Sequence, residues 1–304
     1  MHDVCLTLGV VVLVTHCNGE AWRWRRVKRK TDRDDALKLA RLALLEQLPA
    51  VHVPSPGERQ KRRLILHRRS IVSRRTQCRN AIRSIFSQQG LQLARGGKQW
   101  TKAGIEQLKQ HARPLGDCGG GDLPELWRGR LHVELDLMAA IDQQLKRVDQ
   151  MLDQLASSDA RVKLLQTIKG VGPRVAEAVV SHLGDVKRFK SARQVAGYAG
   201  LVPKQIESGQ MSRFGHITRR GPALLGSMLT ESAWIVWRHN AWAQAWVNKI
   251  SRGSKARRKI AMIALARRLL VILWAMLRDD QPFRPPGIAP PVSAPPVSAP
   301  MAVT

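Results

Sequence analysis

The stretch "KRKTDRDDALKLARL", Lys28 to Leu42, places three acids, Asp32, Asp34 and Asp35, directly behind the densest basic run of the chain. That run, "RWRRVKRK" from Arg23 to Lys30, carries six positive charges in eight residues. Beyond it Ala36, Leu37, Leu39, Ala40, Leu42, Ala43 and Leu44 recur at helical spacing, so residues 31–47 are expected to form a helix with the acids in its first turn. Asp32 and Asp35 stand one turn apart, which brings both carboxylates to one face. Two hard oxygen ligands on one face suit Mg²⁺, and Mg²⁺ suits phosphodiester chemistry. Acids in a first turn also favour the helix dipole, with Thr31 or Asp32 as the N-cap. Spacing alone does not choose between metal ligand and cap.

The wider chain is strongly basic. Its 304 residues carry 51 Lys and Arg against 23 Asp and Glu, a formal charge of +28 and a pI near 11.4. Such a field favours a polyanion, because each neutralised phosphate releases condensed counterions. Nucleic acid is the leading partner and an anionic membrane surface the second. The length suffices for one large or two ordinary domains with real cores. No run is expected to reach the roughly 20 apolar residues that span a bilayer. The N-terminal "LTLGVVVLVTHC" lacks a basic region before it and a small-residue cleavage site after it, so residues 8–15 are expected as a buried β-strand rather than a signal sequence. Cys5, Cys17, Cys78 and Cys118 are scattered with no C-x-x-C pair, which argues against a zinc site or disulfide framework. These features predict a soluble, cytoplasmic, nucleic-acid-holding protein.

A lone opening strand needs a sheet that seven preceding residues cannot supply, so the chain reads as starting inside a domain. "PAVHVPSPGER" reads as an extended link. Residues 57–89 and 122–167 read as two long amphipathic helices, an antiparallel hairpin or coiled-coil arm. Between them, glycine-marked loops surround one short helix. The heptads are irregular, so they do not specify an oligomer. From Val162 to Asp279 short helices alternate with Gly and Pro. The tail repeats "APPVSAP", has no periodic apolar face and is expected to be disordered.

Three later segments carry chemistry. In "LLQTIKGVGPRVAEAVVSHLGD", Leu164–Asp185, an apolar helix ends at Gly170-Val171-Gly172 and Pro173 opens the next, the pattern of a helix-hairpin-helix. Its glycines would let backbone N–H groups approach a phosphate, flanked by Lys169 and Arg174. An ordinary turn in a helical bundle has the same pattern. Residues 197–229 hold Ser208-Gly209 beside Lys204, Arg213, Arg219 and Arg220. A serine among arginines suits phosphate binding or attack on a phosphodiester, although Ser-Gly is also common in plain turns. Ser251–Leu277 reads as a helix whose basic start, with Lys255, Arg257 and Arg258, can lie on phosphate while its apolar remainder packs.

Taken together, "KRKTDRDDALKLARL", "IKGVGPRVAEAVVSHLGDVKRFKSARQVAGYAGLVP", "SGQMSRFGHITRRGPALL" and "KARRKIAMIALARRLLVILWAML" resemble, in order, the DEDD-type serine transposases of bacterial insertion sequences, which use an element-encoded bridge RNA. The resemblance covers residues 1 to about 283. It implies a mainly α fold with a small α/β remnant. Residues 1–55 would be the C-terminal part of a RuvC-like (RNase H-fold) domain, and 56–160 a helical arm with a Gly-rich insertion. Residues 161–280 would be an all-α DNA-handling domain containing the helix-hairpin-helix, and 281–304 the tail. It further implies Asp32 and Asp35 as Mg²⁺ ligands, Ser208 as the nucleophile with Ser212 as fallback, and DNA, a structured guide RNA and a second copy of the chain as partners. The family's first catalytic aspartate and its glutamate have no counterpart, because the chain resembles the family only from just after that glutamate. Asp3 and Glu20 do not sit in the matching motif. A 5′-truncated or mis-started transposase, catalytically impaired, is therefore expected. A non-catalytic DNA- or RNA-binding protein is the alternative. A basic structural RNA-binding protein accounts for the charge but not for the Ser-Gly block.

Overall fold

The computed structural model describes residues 2–15, 31–48, 50–118, 123–208 and 211–285, with backbone alone at residues 95, 206–208, 211, 212 and 214. The basic run Arg23–Lys30, Cys17, Glu20 and the tail from residue 286 lie outside the described residues. The chain divides into two compact units, Met1–Gly57 and Glu58–Thr304.

In the first unit, α1 (His2–Thr7) precedes α2 (Asp32–Leu44), and a capping box starts α2. The Thr31 hydroxyl accepts from the Asp34 N–H at 3.3 Å, and the Asp34 carboxylate accepts from the Thr31 N–H at 3.2 Å. The cap therefore uses Asp34. The strand expected over residues 8–15 is not formed: Leu8, Val10, Val11 and Leu13 are exposed. One antiparallel bridge, Thr15 to Ala50, is its pairing among the described residues, with the Val51 N–H donating to the Val14 carbonyl at 2.8 Å. An apolar run becomes a strand only where neighbours complete its ladder of hydrogen bonds.

The second unit opens with the expected arm. Helices α3 (Pro56–Gln88) and α5 (Leu126–Ser157) run antiparallel, and their pairings repeat every seven residues. Arg68 donates to both carboxylate oxygens of Asp149, at 2.6 and 3.3 Å, and Arg75 donates to Asp142 at 3.2 Å. Another heptad outward, Ile82 and Leu135 share a buried cluster with Cys78, Ile85, Leu131 and Met138. At the base, Ile65 and Leu152 pack together. The partner of each seam is thus within the chain. A cap closes the far end, where His111 of α4 (Lys102–His111) and Trp127 at the start of α5 lie edge-on to Phe86, and Trp100 lies beneath Arg79 and Arg83.

The rest of this unit is α6 (Ala160–Leu165), α7 (Pro173–Leu183), α8 (Ala192–Tyr198), strands β1 (Pro203–Ser208) and β2 (Met211–Ile217), α9 (Ala223–His239), α10 (Ala241–Ser251) and α11 (Arg258–Asp279). The region expected as all-α therefore contains a two-stranded antiparallel hairpin. Helix α11 is the axis of the core, with Leu265, Leu269, Leu270 and Leu273 fully buried. It corrects the expectation about apolar length, being long and apolar enough to cross a membrane, yet it has nine buried positions packed in the core. Its basic start is shorter than expected, because Arg252 takes a left-handed conformation (φ 51°) and ends α10 before α11 begins.

The arm grips α7 at both ends. At the C-terminus Arg62 donates to the Ser181 and His182 carbonyls at 2.6 and 3.3 Å, and the Tyr198 hydroxyl donates to the His182 carbonyl at 3.0 Å. These donors satisfy carbonyls that the helix leaves open, and the guanidinium complements the negative end of the dipole. At the N-terminus Arg174 bonds both Glu177 oxygens at 3.0 Å, pairs with Asp153, and lies 3.7 Å from Asp149.

Glu177 is 8% exposed, and burial, outweighing the pull of Arg174, pushes its carboxyl up to about 7, with Asp153 adding repulsion. A carboxyl with a raised value stays protonated in the folded state after the unfolded chain has released its proton. Unfolding free energy is therefore expected to fall as pH rises from 4.5 to about 7, and Glu177→Gln to remove that fall in denaturant titrations. Arg174→Ala, which takes the hydrogen-bond donor from buried Glu177 while Asp149 keeps Arg68, is expected to cost about 1–3 kcal/mol in the same measurement.

Candidate nucleic-acid interface

The hairpin is built on a tight backbone crossing. Gly200 has φ +67°, and a Cβ there would sit 2.7 Å from the Gly221 nitrogen. A Cβ on Gly221 would meet the Ala199 carbonyl carbon at 2.3 Å. Two glycines thus let residues 199–201 and 219–221 touch. The Thr218 N–H donates to the Val202 carbonyl at 2.8 Å and the Arg219 N–H to the Gly200 carbonyl at 3.1 Å, closing the base. Arg219 pays with a left-handed φ of 53°, rare for a residue with a side chain.

Above this base the register runs Ile206 opposite Arg213, Glu207 opposite Ser212 and Ser208 opposite Met211. The irregularity lies lower, between Pro203 and Gln205. Ser208 is consequently the last residue of β1, next to the connection formed by Gly209 and Gln210, which lie outside the described residues. Strand period puts Ser208 and Arg213 at ladder positions of one parity and Ser212 at the other. Lys204, Arg213, Arg219 and Arg220 are all exposed. The expectation of an all-α region left no strand in this segment. Its overlooked signals were Pro203 at a strand start and β-formers flanking a short Ser-Gly connection.

The two glycines of the α6–α7 turn have different roles. Gly170 takes φ +103°, and a Cβ there would stand 2.9 Å from the Val236 nitrogen. Its carbonyl accepts from Ser232 at 3.1 Å, and the Lys169 carbonyl accepts from Asn240 at 2.7 Å. Gly170 is needed where the turn packs on α9. Gly172, the N-cap of α7, has an extended backbone (φ −79°) and open space around it. The Lys169 side chain is exposed, whereas Arg174, expected beside it on phosphate, is turned to Asp149, Asp153 and Glu177. Lys255 and Arg257 are exposed before α11, and Arg258 lies over Trp237 at 5.6 Å. These basic groups and the hairpin belong to the second unit. Asp32 and Asp35 belong to the first, on the opening turns of α2. Among the described residues no group of three or more His, Cys, Asp or Glu could hold a metal ion. The pair fits Mg²⁺ only as part of a shell that waters and phosphate oxygens complete.

The segment carrying the turn and the hairpin also matches a family model. Residues 162–248 match the family model described as Transposase IS116/IS110/IS902 family. The "Probable family 20 transposase" of Pseudomonas aeruginosa is 29% identical over 259 residues, covering 84% of this chain and 74% of that protein. The "Transposase for insertion sequence element IS1111A" of Coxiella burnetii is 27% identical over 84% of this chain and 68% of its own length. The "Pilin gene-inverting protein" of Moraxella bovis is 27% identical over 84% of this chain and 69% of its own length. The turn, the hairpin and α9 thus lie in a segment that matches the IS116/IS110/IS902 transposase family, and transposases align with this chain along most of its length.

Proposed function

We propose that this chain handles DNA for strand cleavage and rejoining through a phosphoserine intermediate formed by Ser208. The observation that carries the reading is the hairpin: Ser208 ends β1 at a ladder position of the same parity as Arg213, on a glycine-locked base flanked by Arg219 and Arg220. The named activities of the relatives, transposition and gene inversion, support DNA as the substrate. In the step proposed, the Ser208 Oγ bonds to phosphorus as the bond to the departing deoxyribose oxygen breaks. The hydroxyl proton passes to a base, and the departing oxygen gains a proton. Arginines stabilise the charge that develops on the phosphoryl oxygens. Ser208 is favoured over Ser212 because only Ser208 shares ladder parity with Arg213.

Asp32 and Asp35 would hold Mg²⁺, which supplies Lewis-acid polarisation of a phosphate oxygen and orients it. Asp34 is excluded from that role by its cap. A RuvC-like fold for residues 1–55, a helix-hairpin-helix within Leu164–Asp185, a guide RNA and a second copy of the chain complete the reading. The exposed N-terminus of α7 at Gly172 supports a backbone phosphate contact there.

Incubated with duplex DNA, Mg²⁺, the element's RNA and a segment supplying two further carboxylates, the chain is expected to form a covalent DNA adduct. Ser208→Ala should eliminate that adduct and Ser212→Ala should leave it; the reverse pattern would move the nucleophile. DNA affinity should fall at least tenfold between about 50 and 200 mM salt. Gly172→Val should weaken it with unchanged circular dichroism, since the added side chain meets nothing in the protein and obstructs only an approaching phosphate. Unaltered affinity in that variant would assign the turn to packing.

A further inference from the structure

Beneath the hairpin base lies a pocket of about 400 Å³ that strand transfer at Ser208 does not use. Leu201, Ile217, Pro222 and Trp234 give it apolar walls, and Arg219 and Glu231 are its charged groups. Trp234 is half-buried and held edge-to-face by Trp237 at a ring separation of 5.9 Å, so this wall is rigid. Arg219 reaches the rim from its left-handed backbone, a conformation that persists where surroundings impose it and that marks binding sites. Glu231 is exposed on α9 and has no hydrogen-bond or ion-pair partner among the described residues. Along the same helix Ser227 accepts from Arg69 of the arm, which extends the basic rim.

We propose that this pocket receives one unpaired nucleobase of a bound strand, stacked on Trp234, with its amino edge on Glu231 and its phosphate on Arg219. The inference rests on the DNA-handling reading above. An unstacked nucleotide offers an aromatic face, ring donors and an adjoining negative charge, which match an indole wall, a carboxylate and a guanidinium in turn. A carboxylate only accepts, so it selects bases by their donors. Guanine presents N1–H and N2–H side by side and engages both oxygens. Cytosine and adenine offer one amino group. Thymine sets a single N–H between two carbonyls that a carboxylate repels. Guanine should therefore bind best and thymine worst. From Leu201 through β1 to Ser208 the chain advances seven residues, roughly 23 Å at 3.2–3.4 Å each. The pocket thus lies away from the chemistry, and Trp234, Arg219 and Glu231 are positioning residues.

The test measures binding of the full chain to fluorescent thymidine 12-mers holding one central dG, dA, dC or abasic site, at fixed salt. The dG strand is expected to bind about tenfold tighter than the all-dT strand, the size of one bidentate hydrogen-bonded pair, and about tenfold tighter than the abasic strand, the size of one base stacked on an aromatic ring. Glu231→Gln should bring the dG-to-dT ratio close to one. Trp234→Leu should lower dG to the abasic level. Thermal melting of both variants reports whether they remain folded. Equal, salt-dependent binding of all strands by the unaltered protein would remove the pocket proposal and leave DNA handling intact. Binding of none would remove both.

Discussion

Asp149 sits between two guanidiniums that come from different parts of the chain, Arg68 on the arm helix α3 and Arg174 at the start of α7. The register of the arm depends on this carboxylate and its counterpart Asp142. Apolar seams with a seven-residue repeat tolerate a slip of one heptad, because one leucine packs much like another. A slip here would set Arg75 against Leu135 and leave a guanidinium facing the apolar cluster at the tip. Polar pairs inside a seam contribute less to stability than apolar ones, and their value is in refusing the wrong register. The arm therefore has one alignment, and only in that alignment does Arg62 reach the end of α7 and Arg174 of α7 reach Asp149.

From α7 the constraint passes to α9 through backbone rather than through long side chains. Gly170 lies against Val236, Ser232 bonds the Gly170 carbonyl, and Asn240 bonds the Lys169 carbonyl. Helix α9 in turn forms one side of the pocket under the hairpin, and the crossing of Gly200 with Gly221 fixes where the hairpin leaves the core. A serine at a hairpin end is a loose platform by itself. Rooted in a crossing that admits no Cβ, it has a rigid foot.

Charge is distributed to match. Helix α3 has one acid, Glu58, near its start and arginines along its length, while α5 supplies the aspartates that neutralise its inward ones. What remains exposed, Arg213, Arg219, Arg220, Lys255 and Arg257 among others, makes no ion pair among the described residues and repels itself. That arrangement is tolerable for a protein that meets a polyanion.

Local rules made much of this legible. Helical spacing and the acids of "KTDRDDAL" located α2, although only the structure showed that Asp34, not Asp32, enters the Thr31 cap. Amphipathic repeats located α3 and α5 because each helix carries its own seam. Glycine, proline and the Ser-Gly block marked the turn at 170–172 and the segment around Ser208. The missed features are the non-local ones. Residues 8–15 read as a strand from composition, but a strand exists only through its neighbours, and one bridge at Thr15 is what the described residues provide. Arg174 read as a phosphate ligand because it follows the glycine turn, but three carboxylates claim it in space, two of them more than twenty residues earlier. Gly170 and Gly172 look alike in the sequence, and only the approach of Val236 separates the glycine that packing requires from the one left open. By itself the sequence determined helix positions, charge and the family's motifs, because these depend on near neighbours along the chain. The tertiary structure decided which basic groups are free, which glycines are obligatory and where Ser208 stands, because each of these is set by atoms distant in sequence and close in space.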